Sequence, residues 1–293
     1  MLCRLPTNSI RLIALLLTFW TLTASSVNAK GCHSDGTRVS RTVNGIKITI
    51  EPKPAEDENL SVCRASLTRR DGTDLNIGTD FDITFLPVTG KDVNGDGQPD
   101  AVLEGWSGGA HCCYTYWIVS LGDSPRVIRK IFNQDHIQFL DLNKDGKIEL
   151  VTTESAFDYF DNLCFACSPF VEVILRLDGN TLSNVGSEFW QRYERVIRAK
   201  SEDLSPEVVH DFQTKGRAEF PGNWDETKSN IFLVALSYLY AGKENDALHF
   251  LISMYGQAKG VETKEILLKQ AQLGFLGDPR SPDFGCHGCG KHD

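Results

Sequence analysis

Two nine-residue segments place side-chain oxygens at matching intervals. Asp92-Val93-Asn94-Gly95-Asp96-Gly97-Gln98-Pro99-Asp100 and Asp141-Leu142-Asn143-Lys144-Asp145-Gly146-Lys147-Ile148-Glu149 share the pattern DxNxDGxx[DE], offset by 49 residues. Oxygens at positions one, three, five and nine can converge on one hard cation. Glycine at position six allows the chain to turn sharply, and the backbone carbonyl at position seven, that of Gln98 or Lys147, adds a further oxygen. Calcium accepts about six to eight such ligands at ~2.3–2.6 Å. An EF-hand would need a bidentate Glu at position twelve and an exiting helix. Position twelve is Leu103 or Thr152, and both copies run into strand-like stretches, AVLEGW and LVTTES. The competing explanation is a metal-free polar turn closed by Asx hydrogen bonds. The repetition of every oxygen position favours calcium, with Asp92, Asn94, Asp96, Gln98 and Asp100 as one ligand set and Asp141, Asn143, Asp145, Lys147 and Glu149 as the other.

Two other chemistries compete with this one. Gly105-Trp106-Ser107-Gly108-Gly109 satisfies GxSxG, the nucleophile elbow of serine hydrolases. That elbow needs a strand, a strained turn and then a helix. The residues after it, HCCYTYWIVSL, are aromatic and β-branched, so a glycine-rich bend between antiparallel strands is expected. His136, His210 and His249 have no recognisable catalytic setting. The second chemistry is soft-metal binding by His111, Cys112, Cys113 and the CxxC pairs Cys164/Cys167 and Cys286/Cys289, with His287 and His292 beside the latter. These pairs lie 119 positions apart, on segments that read as different domains, so disulfides are the simpler use of the sulfurs.

Positioning these residues takes a chain of 293 residues, long enough for one large or two modest domains. Hydrophobic residues at 41% and charged residues at 24% allow a buried core and exclude a disordered chain. The net charge is −9, and the first 29 residues contribute two arginines and no acid, so their loss would leave −11. That balance excludes a basic face for nucleic acid. Arg4 and Arg11 precede the apolar run Leu12 to Leu22, which is too short to span a bilayer. Val27-Asn28-Ala29 follows with small residues where a signal peptidase reads, so a cleaved leader over 1–29 and an exported chain are expected, with no transmembrane segment after cleavage. Eight cysteines then remain, an even number suited to disulfides. Cys32 and Cys63 flank an expected hairpin built on Asn44-Gly45, which a bridge between them would staple.

From Thr37 to about Glu188 short β-branched and aromatic runs alternate with Gly, Asp, Asn and Pro. Candidate strands cover 37–43, 45–50, 60–68, 80–86, 100–106, 114–121, 126–132, 136–140, 148–154, 170–177 and 181–186. Beyond about Ser187 the period becomes helical. Phe189, Tyr193, Val196 and Ile197 share one face, and Asn230 to Tyr240, Asn245 to Tyr255 and Val261 to Leu273 read as three further helices.

The acidic loops resemble the calcium loops of FG-GAP/VCBS-type repeats, found in integrin-like β-propellers and in many exported bacterial proteins. The intervening Trp106-Ser107-Gly108-Gly109-Ala110-His111-Cys112-Cys113 is similar to a motif of secreted bacterial proteins carrying such loops. The resemblance covers roughly residues 80–185. It implies calcium at both loops and blade-like antiparallel sheets; with two loops rather than four or more, it implies a partial rather than a closed propeller. Ala235, Tyr238, Gly242 and Ala247, continued by Leu251 and Met254, resemble a single tetratricopeptide helix pair. The expected protein is therefore α+β. A leader (1–29) precedes an N-terminal antiparallel β-domain, partly propeller-like, over 30–187 with both calcium loops. A C-terminal helical region follows over 188–279, and a Cys/His/Gly-rich tail over 280–293. Its expected role is a non-catalytic binding or scaffold module in the periplasm or outside the cell. Its partner would be an unidentified extracytoplasmic protein or glycan. A serine hydrolase using Ser107 and a Cys/His metal protein are the alternatives.

Overall fold

A computed structural model describes Cys32 and residues 36–54, 61–109 and 113–277. The expected leader, His111, Cys112, Cys286, Cys289 and the tail over 280–293 lie outside the described residues. The fold is α+β: among the described residues twelve strands in three antiparallel sheets precede five α-helices, and no barrel or propeller closes. Each sheet is a four-stranded meander of consecutive strands. The first comprises β1 (Val39–Val43), β2 (Ile46–Pro54), β3 (Ser61–Thr68) and β4 (Asp74–Asp80). The second comprises β5 (Asp82–Phe85), β6 (Asp100–Trp106), β7 (Tyr114–Ser120) and β8 (Arg126–Asn133). The third comprises β9 (Gln138–Leu140), β10 (Glu149–Thr153), β11 (Glu172–Asp178) and β12 (Thr181–Asn184).

The sheets stack in chain order, and strand alternation determines what each face meets. In the second sheet Leu103 pairs with Trp117, and both join Ile48, Ile50 and Leu67 of the first sheet in one core. Val102 pairs with Ile118 on the opposite face and packs with Leu150, Val173 and Leu175 of the third sheet in the other. Strands β6 and β7 are thus covered on both sides, which is why they read as near-continuous apolar runs. Trp117 wedges so tightly under the first sheet that a Cβ on Gly78 would lie 2.5 Å from its ring.

The third sheet turns its second face to the helices α1 (Trp190–Glu202), α2 (Pro206–Thr214), α3 (Trp224–Tyr240), α4 (Glu244–Tyr255) and α5 (Gln257–Ala271). Arg192 of α1 donates from Nε and Nη2 to Glu172 at 2.7 and 2.6 Å, and the Asn184 amide donates to the Tyr240 carbonyl at 2.9 Å. One apolar cluster runs from the second sheet through the third into these helices. The strand-to-helix switch falls between Asn184 and Trp190. None of the helices formed by the described residues is long and apolar enough to cross a membrane.

Two elements depart from the expectation. Strand β4 lies outside every candidate run except at Asp80, because its sequence DLNIGTD buries little beyond Ile77; it forms by pairing with β3 around a bulge at Ala65/Ser66. Helix α2 was also missed, although Ser205 caps it through Val208 N at 3.3 Å and Pro206 opens it. Helices α4 and α5 meet at Gly260, where a Cβ would lie 2.7 Å from the Ile252 Cα and backbone nitrogen. Gly260→Ala is expected to lower stability by about 1–3 kcal/mol, outweighing its ~1 kcal/mol gain in helix propensity. The midpoint of urea unfolding checks this.

Candidate metal centre

Both acidic loops join the first and second strands of a meander: 92–100 leads from β5 into β6, and 141–149 leads from β9 into β10. The corresponding connection in the first sheet is the short turn at Asn44-Gly45. Each loop ends with a fully buried carboxylate as the first residue of its second strand, Asp100 or Glu149.

The loops share an internal hydrogen-bond plan. In the first, Asp92 accepts Gly95 N and Gly97 N, both at 2.8 Å, and Asp96 accepts Gln98 N at 2.9 Å. In the second, Asp141 accepts Asp145 N and Gly146 N, both at 3.0 Å, and Asp145 accepts Lys147 N at 2.8 Å. Asn94 and Asn143 each donate to the Asp two residues ahead, at 3.2 and 3.0 Å. The closing carboxylate reaches back to position two in both: Asp100 Oδ2 accepts Val93 N at 2.7 Å and Glu149 Oε2 accepts Leu142 N at 3.0 Å. These bonds arrange positions one, three, five and nine around one turn, although the three carboxylates of neither loop bring oxygens within 4.8 Å of one another. Without further help, they are also what a polar turn would make.

The loops differ at the remaining oxygen of the closing carboxylate. Asp100 Oδ1 is buried and makes no hydrogen bond. Burial pushes the Asp100 carboxyl up to about 7, opposed by the Val93 and Asn94 N–H groups; the Asp96 and Asp92 charges add to the rise. In the second loop Glu149 Oε1 accepts Arg176 Nε at 3.0 Å and Nη2 at 2.6 Å. The same guanidinium holds Glu188 through Nη1 and Nη2, both at 2.9 Å. The difference follows from register, since Asp100 lies opposite Ser120 whereas Glu149 lies opposite Arg176. Asp145 is held below the usual carboxyl range by the Lys147 N–H first, then by Asn143, with the Arg176 charge contributing.

The first loop also touches the next sheet. The Asn94 amide donates to the Gly179 carbonyl at 3.0 Å, and Gly179 N donates to the Asn94 carbonyl at 2.8 Å. Gly179 lies in the turn between β11 and β12. Asn94 is buried as a result. Sequence reasoning missed Arg176 and this cross-sheet contact, because both arise from pairing between distant segments.

The other candidate residues have different settings. Ser107 lies between β6 and β7, which pair antiparallel with Trp106 opposite Tyr114. Its Oγ accepts Cys113 N at 2.9 Å and its N–H donates to the Cys113 carbonyl at 3.1 Å. The strand is therefore followed by another strand, as expected for a glycine-rich bend. Cys32 bridges Cys63 and Cys164 bridges Cys167, with Cα separations of 6.0 and 5.0 Å. The expected staple across the β1–β2 hairpin is thus formed. Among the described residues, only Cys32, Cys63 and Asp82 gather three Cys, His, Asp or Glu ligand atoms within 4.8 Å, and the disulfide uses both sulfurs. His136, which had no recognisable setting in the sequence, places Nδ1 3.0 Å from Glu104 Oε2. Glu104 also accepts the Tyr116 hydroxyl at 2.6 Å. The pair borders a cleft of about 340 Å³ with Trp106 and Tyr114.

No family model, curated protein or solved structure matches the chain.

Proposed function

We infer that the protein is an exported binding or scaffold module, without catalysis, in which calcium held at the DxNxDG motif stiffens a three-sheet stack. The observation that carries this is Asp100 Oδ1, an acceptor with no donor in a fully buried carboxylate that closes an acidic loop. A buried anion is costly unless something positive meets it. A divalent ion among Asp92, Asn94, Asp96 and the Gln98 carbonyl would supply that charge with the oxygen ligands calcium prefers. The recurrence of the loop at the same place in the next sheet supports a repeat built around ion loops. The Cys32–Cys63 and Cys164–Cys167 disulfides support an oxidising compartment outside the cytoplasm. In this reading the partner is an extracytoplasmic protein or glycan. The surroundings of Ser107 give the hydrolase alternative no support.

Thermal unfolding of the purified, oxidised protein in calcium and in excess chelator, with metal analysis alongside, tests this reading. Calcium should raise the midpoint, with about 2.7 kcal/mol of added stability at a free concentration one hundred times Kd. Equal midpoints with no bound ion would reduce both loops to polar turns.

A further inference from the structure

We propose that the two loops are not equivalent: the first binds one divalent cation, and the second is closed by the chain's own cation, Arg176, and binds none. The inference rests on the calcium reading and adds a stoichiometry and a mechanism of exclusion to it.

The comparison is controlled, because loop layout, position in the meander and burial of the closing carboxylate are the same in both. What differs is the charge facing that carboxylate. Asp100 has Ser120 as its cross-strand neighbour, and Oδ1 is left without a donor. Glu149 has Arg176, and both of its oxygens are engaged, Oε1 by two guanidinium N–H groups and Oε2 by Leu142 N. For a metal ion to use Glu149 Oε1, Arg176 would have to give up both bonds, although it is also anchored on Glu188. The guanidinium is a fixed, always-ionised donor fork, so it cannot retreat by losing a proton.

The loop sequences point the same way. Each holds three carboxylates, but the second adds Lys144 and Lys147 where the first has Gly95 and Gln98. Lys144 and Lys147 lie within the second loop and Arg176 meets its closing carboxylate, whereas no positive residue lies within 92–100. A divalent ion is therefore attracted more strongly to the first loop than to the second.

The test is the number of calcium ions bound per chain, by calorimetric titration of metal-stripped protein up to about 1 mM, the weak end of calcium-module affinities. The wild-type chain should bind one ion. Asp92→Asn should abolish binding, and Asp141→Asn should leave it within about twofold. Arg176→Ser, which gives the second loop the cross-strand residue of the first, should raise the count to two. Two ions in the wild-type chain, or loss of the ion in Asp141→Asn, overturns the inference and leaves the calcium reading standing. No ion in the wild-type chain overturns both. The wild-type and Asp141→Asn measurements decide the matter even if Arg176→Ser does not fold.

Discussion

Glu154→Ala should destabilise the protein by about 3–5 kcal/mol, a large share of the ~5–15 kcal/mol that holds a domain folded. Glu154 follows β10, is fully buried, and binds three separate parts of the chain. Its Oε1 accepts Ala156 N at 3.0 Å. Its Oε2 accepts the Tyr240 hydroxyl at 2.6 Å and Phe275 N at 2.8 Å. Alanine would remove the acceptor that meets the buried Tyr240 hydroxyl and the Phe275 and Ala156 N–H groups. Glu154→Gln keeps the shape and one acceptor oxygen, so it should cost less, about 1–2 kcal/mol near neutral pH.

The pH dependence gives a second readout. Burial, the largest influence, raises the Glu154 carboxyl above its ordinary value of 4.5, against the opposing hydrogen bonds from Tyr240, Phe275 and Ala156. Between the unfolded and folded pKa values the folded state holds the extra proton. The stability contribution is therefore complete below the unfolded value and is lost as pH rises through the folded one. Asp158 acts with the same sign, pushed up to about 6 by burial, with the Asp135 and Glu154 charges adding. Urea midpoints from pH 4 upward should fall less steeply for Glu154→Gln than for the wild-type chain. Parallel slopes would mean that burial does not govern the Glu154 proton.

Arg176→Ser should cost about 3–5 kcal/mol in chelator, because it leaves the Glu149 carboxylate buried with one oxygen unanswered. The double variant Glu149→Gln/Arg176→Ser should recover most of that loss, since it removes the orphaned charge as well. If the single and double variants unfold at the same midpoint in chelator, the loss comes from packing rather than from the ion pair. Calcium should rescue the single variant and not the double one.

How much was legible varied from element to element for physical reasons. Strands β6 and β7 announce themselves because both faces are covered, and the Cys32–Cys63 bridge follows from cysteines placed around an Asn-Gly turn. The loops are visible because their ligands are local in sequence. Arg176 is not: it is one basic residue in an apolar strand, and only the β10–β11 register places it against Glu149. The free oxygen of Asp100 is equally hidden, since an orphan acceptor is a property of three-dimensional surroundings. Strand β4 escaped because pairing, not propensity, makes it a strand. Helix α2 did carry a readable start, Ser205-Pro206-Glu207, in a segment too short to show a clear period.

The order in which the layers are stacked is also the order in which the chain is synthesised. Each meander can hydrogen-bond within itself as soon as its four strands exist, but its far apolar face waits for residues not yet made. Val102 and Ile118 wait for the third sheet, and Val151 and Ile174 wait for the helices. Assembly from the N-terminus therefore resembles accretion, in which every intermediate carries one adhesive surface and the next layer buries it. The helices end this sequence: they cover the remaining apolar face of the third sheet with a layer that has no strands of its own.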